Sequence, residues 1–187
     1  MASLIGRLRA RRERAHRLYT ALVQQARSPA FYRDLGVPDT LDGRFDLIVL
    51  HAFLVVRRLR GIAGEGSPLG QAVFDVMMAD MDQGLRALGV GDLGVGRRIK
   101  AMSQAFMGRC AAYDEACRSG TESLALALER NLYRSGSAAP SRAARVVARY
   151  VDESGARLAS LADEDVVEAR LRFAGTGADL GDVGMST

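Results

Sequence analysis

The segment 42–60, DGRFDLIVLHAFLVVRRLR, decides the fold of this chain, because its apolar residues cover nearly every side of a helix. A helix that is apolar on all sides is buried inside a domain. The three arginines of the segment gather in its last turn, where they complement the helix dipole, and Gly61 follows. The sequence therefore predicts a buried central helix at about 42–60, with other helices packed around it.

Apolar residues spaced three and four apart predict further helices on both sides of this segment. These helices are expected near 3–26, 67–88, 95–120, 121–132 and 140–161, with short helical turns after Ser28 and Asp163. No segment shows the period-two alternation of a strand. Because 187 residues is a usual size for one domain, we predict an all-α fold, a single compact helical domain of about six to seven helices around the buried central helix.

The chain is expected to divide into three parts. Residues 1–27 form a basic amphipathic helix packed on or flanking the domain, residues 28–174 form the helical domain, and residues 175–187 form a flexible glycine-rich tail. The longest apolar run, 47–56, is ten residues long, whereas a helix needs roughly 20 residues to span a bilayer. With no secretory signal visible either, we expect a cytoplasmic protein.

Positive charge is concentrated at the start of the chain. Residues 1–27 contain seven arginines and one glutamate, a net charge of +6, whereas the remaining residues sum to −2. A basic helical face is compatible with three roles: a solvated surface, a contact with RNA or the ribosome, or a contact with an anionic membrane. The candidates for a ribosome or membrane contact are Arg7, Arg11, Arg12 and Arg14.

The string Gly89-Val-Gly-Asp-Leu-Gly94 matches a dinucleotide-binding fingerprint, but that motif requires a preceding strand. A helix precedes it here, so the glycines are expected to form a sharp turn between two helices. Arg97, Arg98 and Lys100 then oppose the dipole of the next helix. Asp92 is expected to pair with these cations, and the alternative is that they pair with an anionic patch on a partner.

Catalytic and metal-binding patterns are weak in this sequence. Asp75, Asp80 and Asp82 could suggest magnesium, but only Asp75 and Asp82 share a helical face, whereas Asp80 lies well around the helix. All three are expected to be surface acids, with Asp82 pairing Arg86. His51 is expected to be a core histidine satisfied by a hydrogen bond. Cys110 and Cys117 lie too far apart on one helix for a disulfide. We expect no catalytic residue, no metal and no cofactor.

Two runs of sequence resemble a known family. The run FYRDLGVPDTLDGRFDLIVLH (31–51), together with 74–82 and LGVGDLGVGR (88–97), is similar to the ubiquinol-cytochrome c reductase (cytochrome bc1) assembly chaperones. The similarity is strongest over about 28–113, and the chain resembles a bacterial member because it lacks a long presequence.

The resemblance implies an all-helical, non-enzymatic binding protein. Mitochondrial members resemble a holdase: with a small partner subunit near the ribosomal exit, they bind newly made cytochrome b. It therefore implies nascent or immature cytochrome b as a partner, with the ribosome near its exit tunnel and the inner-membrane surface as further contacts, and no DNA.

The positions of polar residues within the matching runs suggest where a partner binds, because these groups cluster at helix ends. The candidate partner-binding residues are Asp39, Asp42, Arg44, Asp80, Asp82, Asp92 and Arg97. A groove or acidic face of the bundle is expected to receive the client. Two other functions stay open: an RNA- or ribosome-associated helical binding module, and a metal-dependent helical enzyme.

Overall fold

A computed structural model describes residues 4–176, in which every regular element is helical. The described residues form eight α-helices and no strand, which confirms the predicted all-α fold. The helices are α1 (Leu4–Ala26), α2 (Pro29–Arg33), α3 (Leu41–Arg60), α4 (Gly66–Ala87), α5 (Asp92–Ser119), α6 (Thr121–Asn131), α7 (Arg142–Ala159) and α8 (Asp163–Val167). Two of them, α2 and α8, are single turns of five residues.

Helix α3 is the buried centre that its sequence predicts. It contacts α1, α4, α5 and α7, and 13 of its 20 residues are buried. The helix begins after Thr40, whose hydroxyl accepts a hydrogen bond from the Gly43 amide at 3.1 Å. This cap satisfies one of the free amides of the first turn.

His51, in the middle of α3, is fully buried and satisfied by two hydrogen bonds. Its Nδ1 lies 2.8 Å from the Leu47 carbonyl oxygen, which can only accept, so the neutral ring carries its proton on Nδ1. Its Nε2 then accepts from the Tyr150 hydroxyl of α7 at 2.8 Å. The edges of Phe31 and Phe173 cover the ring. The predicted core histidine is confirmed.

The turn between α4 and α5 explains the glycine-rich string. Gly89 has a positive φ of 80°, its amide bonds the Arg86 carbonyl, and the Val90 amide bonds the Leu85 carbonyl. These two bonds define a Schellman stop, in which glycine tolerates the left-handed backbone. The string therefore joins two helices, as its sequence context predicts.

Helix α5 carries the apolar stripe that its sequence predicts. Both of its cysteines are free thiols, Cys110 buried and Cys117 half-buried. Burial raises the pKa of Cys110 to about 12, which keeps this thiol protonated at neutral pH.

Glycines stand at the starts of two helices. Helix α4, expected from residue 67, begins at Gly66 with Glu65 as its cap residue. Helix α6 begins at the expected residue, Thr121, with Gly120 as its cap residue, and the Thr121 hydroxyl donates a hydrogen bond to Asp152. Gly120 has a φ of 104°, a backbone conformation that glycine tolerates.

The early start of α4 yields a stability prediction. A Cβ at position 66 would lie 2.0 Å from the Leu59 carbonyl oxygen, whereas a Cβ at Gly84 in the same helix would meet nothing within 4 Å. We expect Gly66→Ala to lower the free energy of unfolding by about 2 kcal/mol through overpacking. Gly84→Ala should raise it by up to about 1 kcal/mol because alanine favours helix. Urea unfolding of both variants measures the difference; equal stabilities would contradict the close approach at Gly66.

Helix α1 packs on the body of the protein through the second half of its length. The face of α1 that is buried runs from Ala15 to Ala26 and packs on α3 and α4.

The expected tail, 175–187, lies outside the described residues apart from its first two positions. No helix within 4–176 is both long and apolar enough to cross a membrane.

Candidate partner-binding groove

A groove of about 740 Å³ lies where α3, α4 and α5 meet, and we refer to it as the α3–α5 groove. Its lining residues are Arg27, Tyr32, Leu41, Asp42, Arg44, Phe45, Ile48, Asp80, Met81, Gly84, Leu85, Leu88, Arg98, Ala101, Met102, Ala105, Arg109 and Arg134. The volume falls within the usual range of ligand-binding clefts. Helix α5 contributes one face, since its lining residues follow helical spacing.

The floor of the groove is apolar. Phe45 and Ile48 of α3 and Leu85 of α4 belong to the buried set and show only their edges to the groove. Half-buried Met81 and Met102 line it from the facing helices. Methionine side chains are unbranched and adapt their shape to what they contact. Such a floor can accept apolar side chains without demanding one fixed shape.

Two large apolar side chains stand exposed at the mouth of the groove. Leu41, the first residue of α3, is 57% exposed, and Leu88, just after α4, is 68% exposed. Exposed apolar residues that adjoin an apolar cleft mark a surface for another molecule. The mouth and the floor together form a continuous apolar path from solvent into the groove.

The charged rim of the groove is mainly basic. Among residues 4–176, five arginines and two aspartates line it. Arg44 bonds Asp39 at 2.6 Å and holds the pKa of that carboxyl below its ordinary value. No ion pair of Arg27 or Arg98 forms within the described part of the chain. These two guanidinium groups are therefore available to an acidic group on a partner.

A buried carboxylate anchors the base of the rim. Asp46 of α3 is 0% exposed and lies 2.8 Å from the Arg109 guanidinium and 3.0 Å from that of Arg134. Burial raises the pKa of Asp46, whereas the two arginines lower it, and burial dominates. Arg109 also lies over the Phe45 ring, 5.8 Å from its centroid. This contact set fixes two of the lining arginines relative to α3.

The structure brings some of the predicted partner-binding residues together. Asp42, Arg44 and Asp80 line the α3–α5 groove, and Asp39 adjoins it through its ion pair with Arg44. Asp80 accepts a hydrogen bond from the Tyr19 hydroxyl at 2.7 Å, and together with burial it raises the pKa of that tyrosine. These four residues form the predicted portion of the site.

The other three predicted residues lie outside the groove. Asp82 and Asp92 both pair with Arg86 at the α4–α5 turn, which confirms the expected Asp82 pair. The expectation that Asp92 pairs with the basic residues at the start of α5 is wrong, because the Asp92 carboxylate forms its ion pair with Arg86. Arg97 is exposed and does not line the groove.

The basic face of α1 is divided between two roles. Arg11 bonds Glu65 at 3.1 Å, and Arg14 bonds Glu168 at 3.0 Å, so these two cations hold α1 to the body. Arg7 and Arg12 are exposed, and neither forms an ion pair in residues 4–176. Of the four predicted ribosome or membrane contacts, two remain available to a partner.

The acids considered for magnesium contact three different groups. Asp75 accepts a hydrogen bond from Gln71, Asp80 from Tyr19 and Asp82 from Arg86. Within residues 4–176, no group of three His, Cys, Asp or Glu residues lies close enough to hold a metal ion.

Sequence reasoning missed most of the groove. Phe45, Ile48 and Met102 lie on the apolar faces of their helices, where spacing alone indicates core; Phe45 and Ile48 are indeed buried, and Met102 is partly buried. Arg109 and Arg134 carried no signal, because their partner Asp46 lies 63 and 88 positions away along the chain. An aspartate inside an otherwise apolar helix was the one available signal, since buried acids require partners.

Comparison with protein families finds one match over most of the chain. Residues 33–173 match the family model described as Ubiquinol-cytochrome C chaperone. The match begins at the last residue of α2 and includes α3, α4 and α5, whereas the lining residues Arg27 and Tyr32 precede it.

Individual relatives are similar at moderate identity. The chain is 26% identical to ubiquinol-cytochrome-c reductase complex assembly factor 1 of Xenopus laevis, over 82% of this chain and 76% of that protein. It is also 26% identical to the Homo sapiens protein of that name, over 82% of this chain and about half (51%) of the human protein. The crystal structure of the Cbp3 homolog from Brucella abortus superposes with a TM-score of 0.78 and 31% identity, covering 91% of this chain and 93% of that one.

Proposed function

Because this chain belongs to the ubiquinol-cytochrome C chaperone family, we propose that it is an assembly chaperone of ubiquinol-cytochrome c reductase. We propose further that it acts by binding rather than by catalysis, and that its client is newly made or immature cytochrome b. The names of the relatives support the role in assembly. The physical support for a binding role comes from the α3–α5 groove.

The observation that carries the proposal is an apolar groove that opens to solvent beside two available cations. Leu41 and Leu88 expose more than half of their surface at its mouth, directly beside the apolar floor of the groove. An amphipathic helix laid into an apolar groove is a common mode of peptide recognition. An apolar segment of an unfinished membrane protein presents apolar side chains of the same kind as such a helix.

The charges of the rim favour a particular kind of client segment. Arg27 and Arg98 would attract acidic groups that flank an apolar stretch, whereas Asp42 and Asp80 would repel them from the other positions. Charge complementarity of this kind mainly sets orientation and association rate, while apolar burial supplies affinity. The chaperone would thus hold one segment in one direction until other subunits replace it.

Site-specific crosslinking tests the location of the client. A photoreactive residue placed at Leu88 in the full chain should crosslink to nascent cytochrome b in the host cell. The same residue at Leu93, which is 95% exposed but does not line the groove, should give no crosslink. Equal crosslinking from both positions, or none from either, would exclude the groove as the client site.

Introducing negative charge at the mouth gives a functional prediction. We expect Leu41→Asp with Leu88→Asp to weaken client binding at least about tenfold, because burying one leucine contributes roughly 1.5–3 kcal/mol. The bc1 content of the host should fall accordingly, measured as b-type haem absorbance of isolated membranes. The control is Leu93→Asp with Met107→Asp, which alters two apolar residues outside the groove that are 95% and 57% exposed.

The fold of both double variants should be retained, because all four residues are exposed. If the groove variant has a normal melting temperature and supports normal bc1 content, the proposed client site is wrong. If both variants fail equally, general exposure of charge rather than the groove accounts for the loss.

A further inference from the structure

The end of the described chain is fastened next to the start of α2. Residues 171–176 follow α8 without regular secondary structure, and the Ala174 amide donates a hydrogen bond to the Ser154 hydroxyl of α7 at 3.0 Å. Two residues later, the Thr176 hydroxyl lies 3.4 Å from the hydroxyl of Ser28, which precedes α2. These contacts fix the point from which residues 177–187 leave the body of the protein.

This exit point adjoins the α3–α5 groove. Ser28 lies between Arg27 and Tyr32 in sequence, and both of these residues line the groove. The lining residues of α5 fall within 98–109, a rise of about 16 Å along the helix. The chain continues for 11 residues after the exit point, and 11 residues reach about 36 Å when extended. Residues 177–187 are therefore long enough to enter the groove and run its length.

The segment 177–187 carries charge opposite to that of the free cations at the rim. It contains two aspartates, Asp179 and Asp182, and no basic residue. Arg27 and Arg98 at the rim form no ion pair within residues 4–176. Asp179 comes three residues after the exit point, within about 10 Å of extended chain, so it can reach Arg27. A carboxylate paired with a guanidinium group forms one of the stronger hydrogen-bonded contacts in proteins.

Apolar residues accompany the two acids at a regular spacing. Leu180 and Val183 each follow an aspartate and precede a glycine, so the pattern repeats after three residues. A chain in the polyproline II conformation has three residues per turn, which would place both apolar side chains along one edge and both aspartates along the next. A segment with this pattern can offer apolar groups to the groove floor and carboxylates to the rim at the same time.

We propose that residues 177–187 dock in the α3–α5 groove of their own chain and cover its apolar floor until a client displaces them. Glycines at 177, 181 and 184 make docking costly in conformational entropy, so the contact itself is weak. A short tether gives an effective concentration of about 1 mM, which half-fills a site of about millimolar affinity. Displacement by a client rests on the proposed function, whereas docking of the segment does not.

Methyl spectra of the full chain, labelled with carbon-13 at methionine, test the docking in the absence of any client. Leu180→Ser with Val183→Ser should shift the methyl signals of Met81 and Met102, which line the groove, and leave that of Met107 unchanged. Met107 lies on the same helix as Met102 but outside the groove, so it reports any general change in α5. Unchanged Met81 and Met102 signals would overturn the proposal.

Charge variants test the contribution of the rim arginines. Asp179→Asn with Asp182→Asn should move the same two methionine signals in the same direction, and about 1 M salt should do so in the unmodified protein, because it shortens the Debye length to about 3 Å. The control, Glu115→Gln with Glu164→Gln, removes two exposed acids outside the groove and should move neither signal. Equal shifts in the control would show that net charge rather than docking is responsible, and would overturn the proposal.

A photoreactive residue at Val183 identifies which chain supplies the segment. In the purified full chain it should crosslink within one molecule to lining residues such as Leu88 or Met102. A crosslinked dimer would assign the groove to a second copy of the chain, and intramolecular crosslinks confined to other surfaces would place the segment elsewhere. Either result would overturn the proposal.

Crosslinking from Leu88 to nascent cytochrome b in the host reports displacement. It should rise at least about twofold in the variant with Leu180→Ser and Val183→Ser, because a groove that is half filled halves the apparent affinity for the client. Shifted methionine signals without this rise would refute displacement and leave docking in place. Client crosslinks at Leu88 with unchanged methionine signals would support the proposed function and refute docking.

Discussion

Replacing Asp46 by asparagine is expected to lower the free energy of unfolding by about 3–5 kcal/mol, the usual cost of breaking a buried ion pair. Asp46 is fully buried, and the side chain of Arg109 is only 13% exposed. Asparagine keeps the shape but removes the negative charge, so the Arg109 guanidinium stays buried without a counterion. Chemical denaturation at pH 7 measures the loss as a lower midpoint with an unchanged slope.

Two further variants test whether the stability lost in Asp46→Asn comes from an unpaired buried charge or from the loss of one contact. Asp42→Asn removes an exposed partner of Arg134 and should cost less than about 1 kcal/mol, as is typical of surface pairs. Asp46→Leu with Arg109→Met removes both charges, and it should recover most of the stability lost in Asp46→Asn. If Asp46→Asn and Asp42→Asn cost the same, Asp46 does not neutralise the buried guanidinium.

His51 should make the protein sensitive to mild acid. Burial lowers the pKa of His51 from 6.5 to about 4. Between these values the unfolded chain binds a proton that the folded protein does not, so the free energy of unfolding falls as pH falls. The contribution is fully present above pH 6.5, and about 3 kcal/mol of it is lost by pH 4, at about 1.36 kcal/mol for each unit of pKa difference.

The His51→Gln variant isolates this contribution. Glutamine cannot take up a proton, so stability should depend less steeply on pH between 6.5 and 4 than in the unmodified protein. The exposed His16 provides the matched control, and His16→Gln should leave the steep dependence intact. Urea titrations at several pH values give the slopes. A His51→Gln slope equal to that of the unmodified protein would show that other groups carry the acid sensitivity.

Periodicity alone predicted the helices well, because burial of one helical face follows from local spacing. The boundaries of α3 agree with the expectation to within one residue, and α5 carries the expected stripe. Periodicity did not indicate the close approach at the start of α4, where a Cβ on Gly66 would meet the Leu59 carbonyl oxygen at the end of α3.

The groove could be predicted only in part. Asp42 and Arg44 at its edge could be predicted because both lie at the start of a helix. The contact of Asp46 with Arg134 could not, because it joins residues 88 positions apart. Nothing local distinguishes Leu88, which is exposed, from Leu85, which is buried three positions earlier. Which apolar residue stays uncovered depends on what the rest of the chain places beside it.

The pairing of Glu168 with Arg14 and Arg17 has a consequence for how the protein is made. Arg17 and Glu168 lie 151 positions apart, so at a synthesis rate of about 5–20 residues per second the glutamate follows the arginine by roughly 8–30 seconds. Throughout that interval α1 lacks its late partner, and in the second half of it the packing surfaces of α1 on α3 and α4 have already been made. Fastening of α1 to the C-terminal segment is therefore among the last events of biosynthesis.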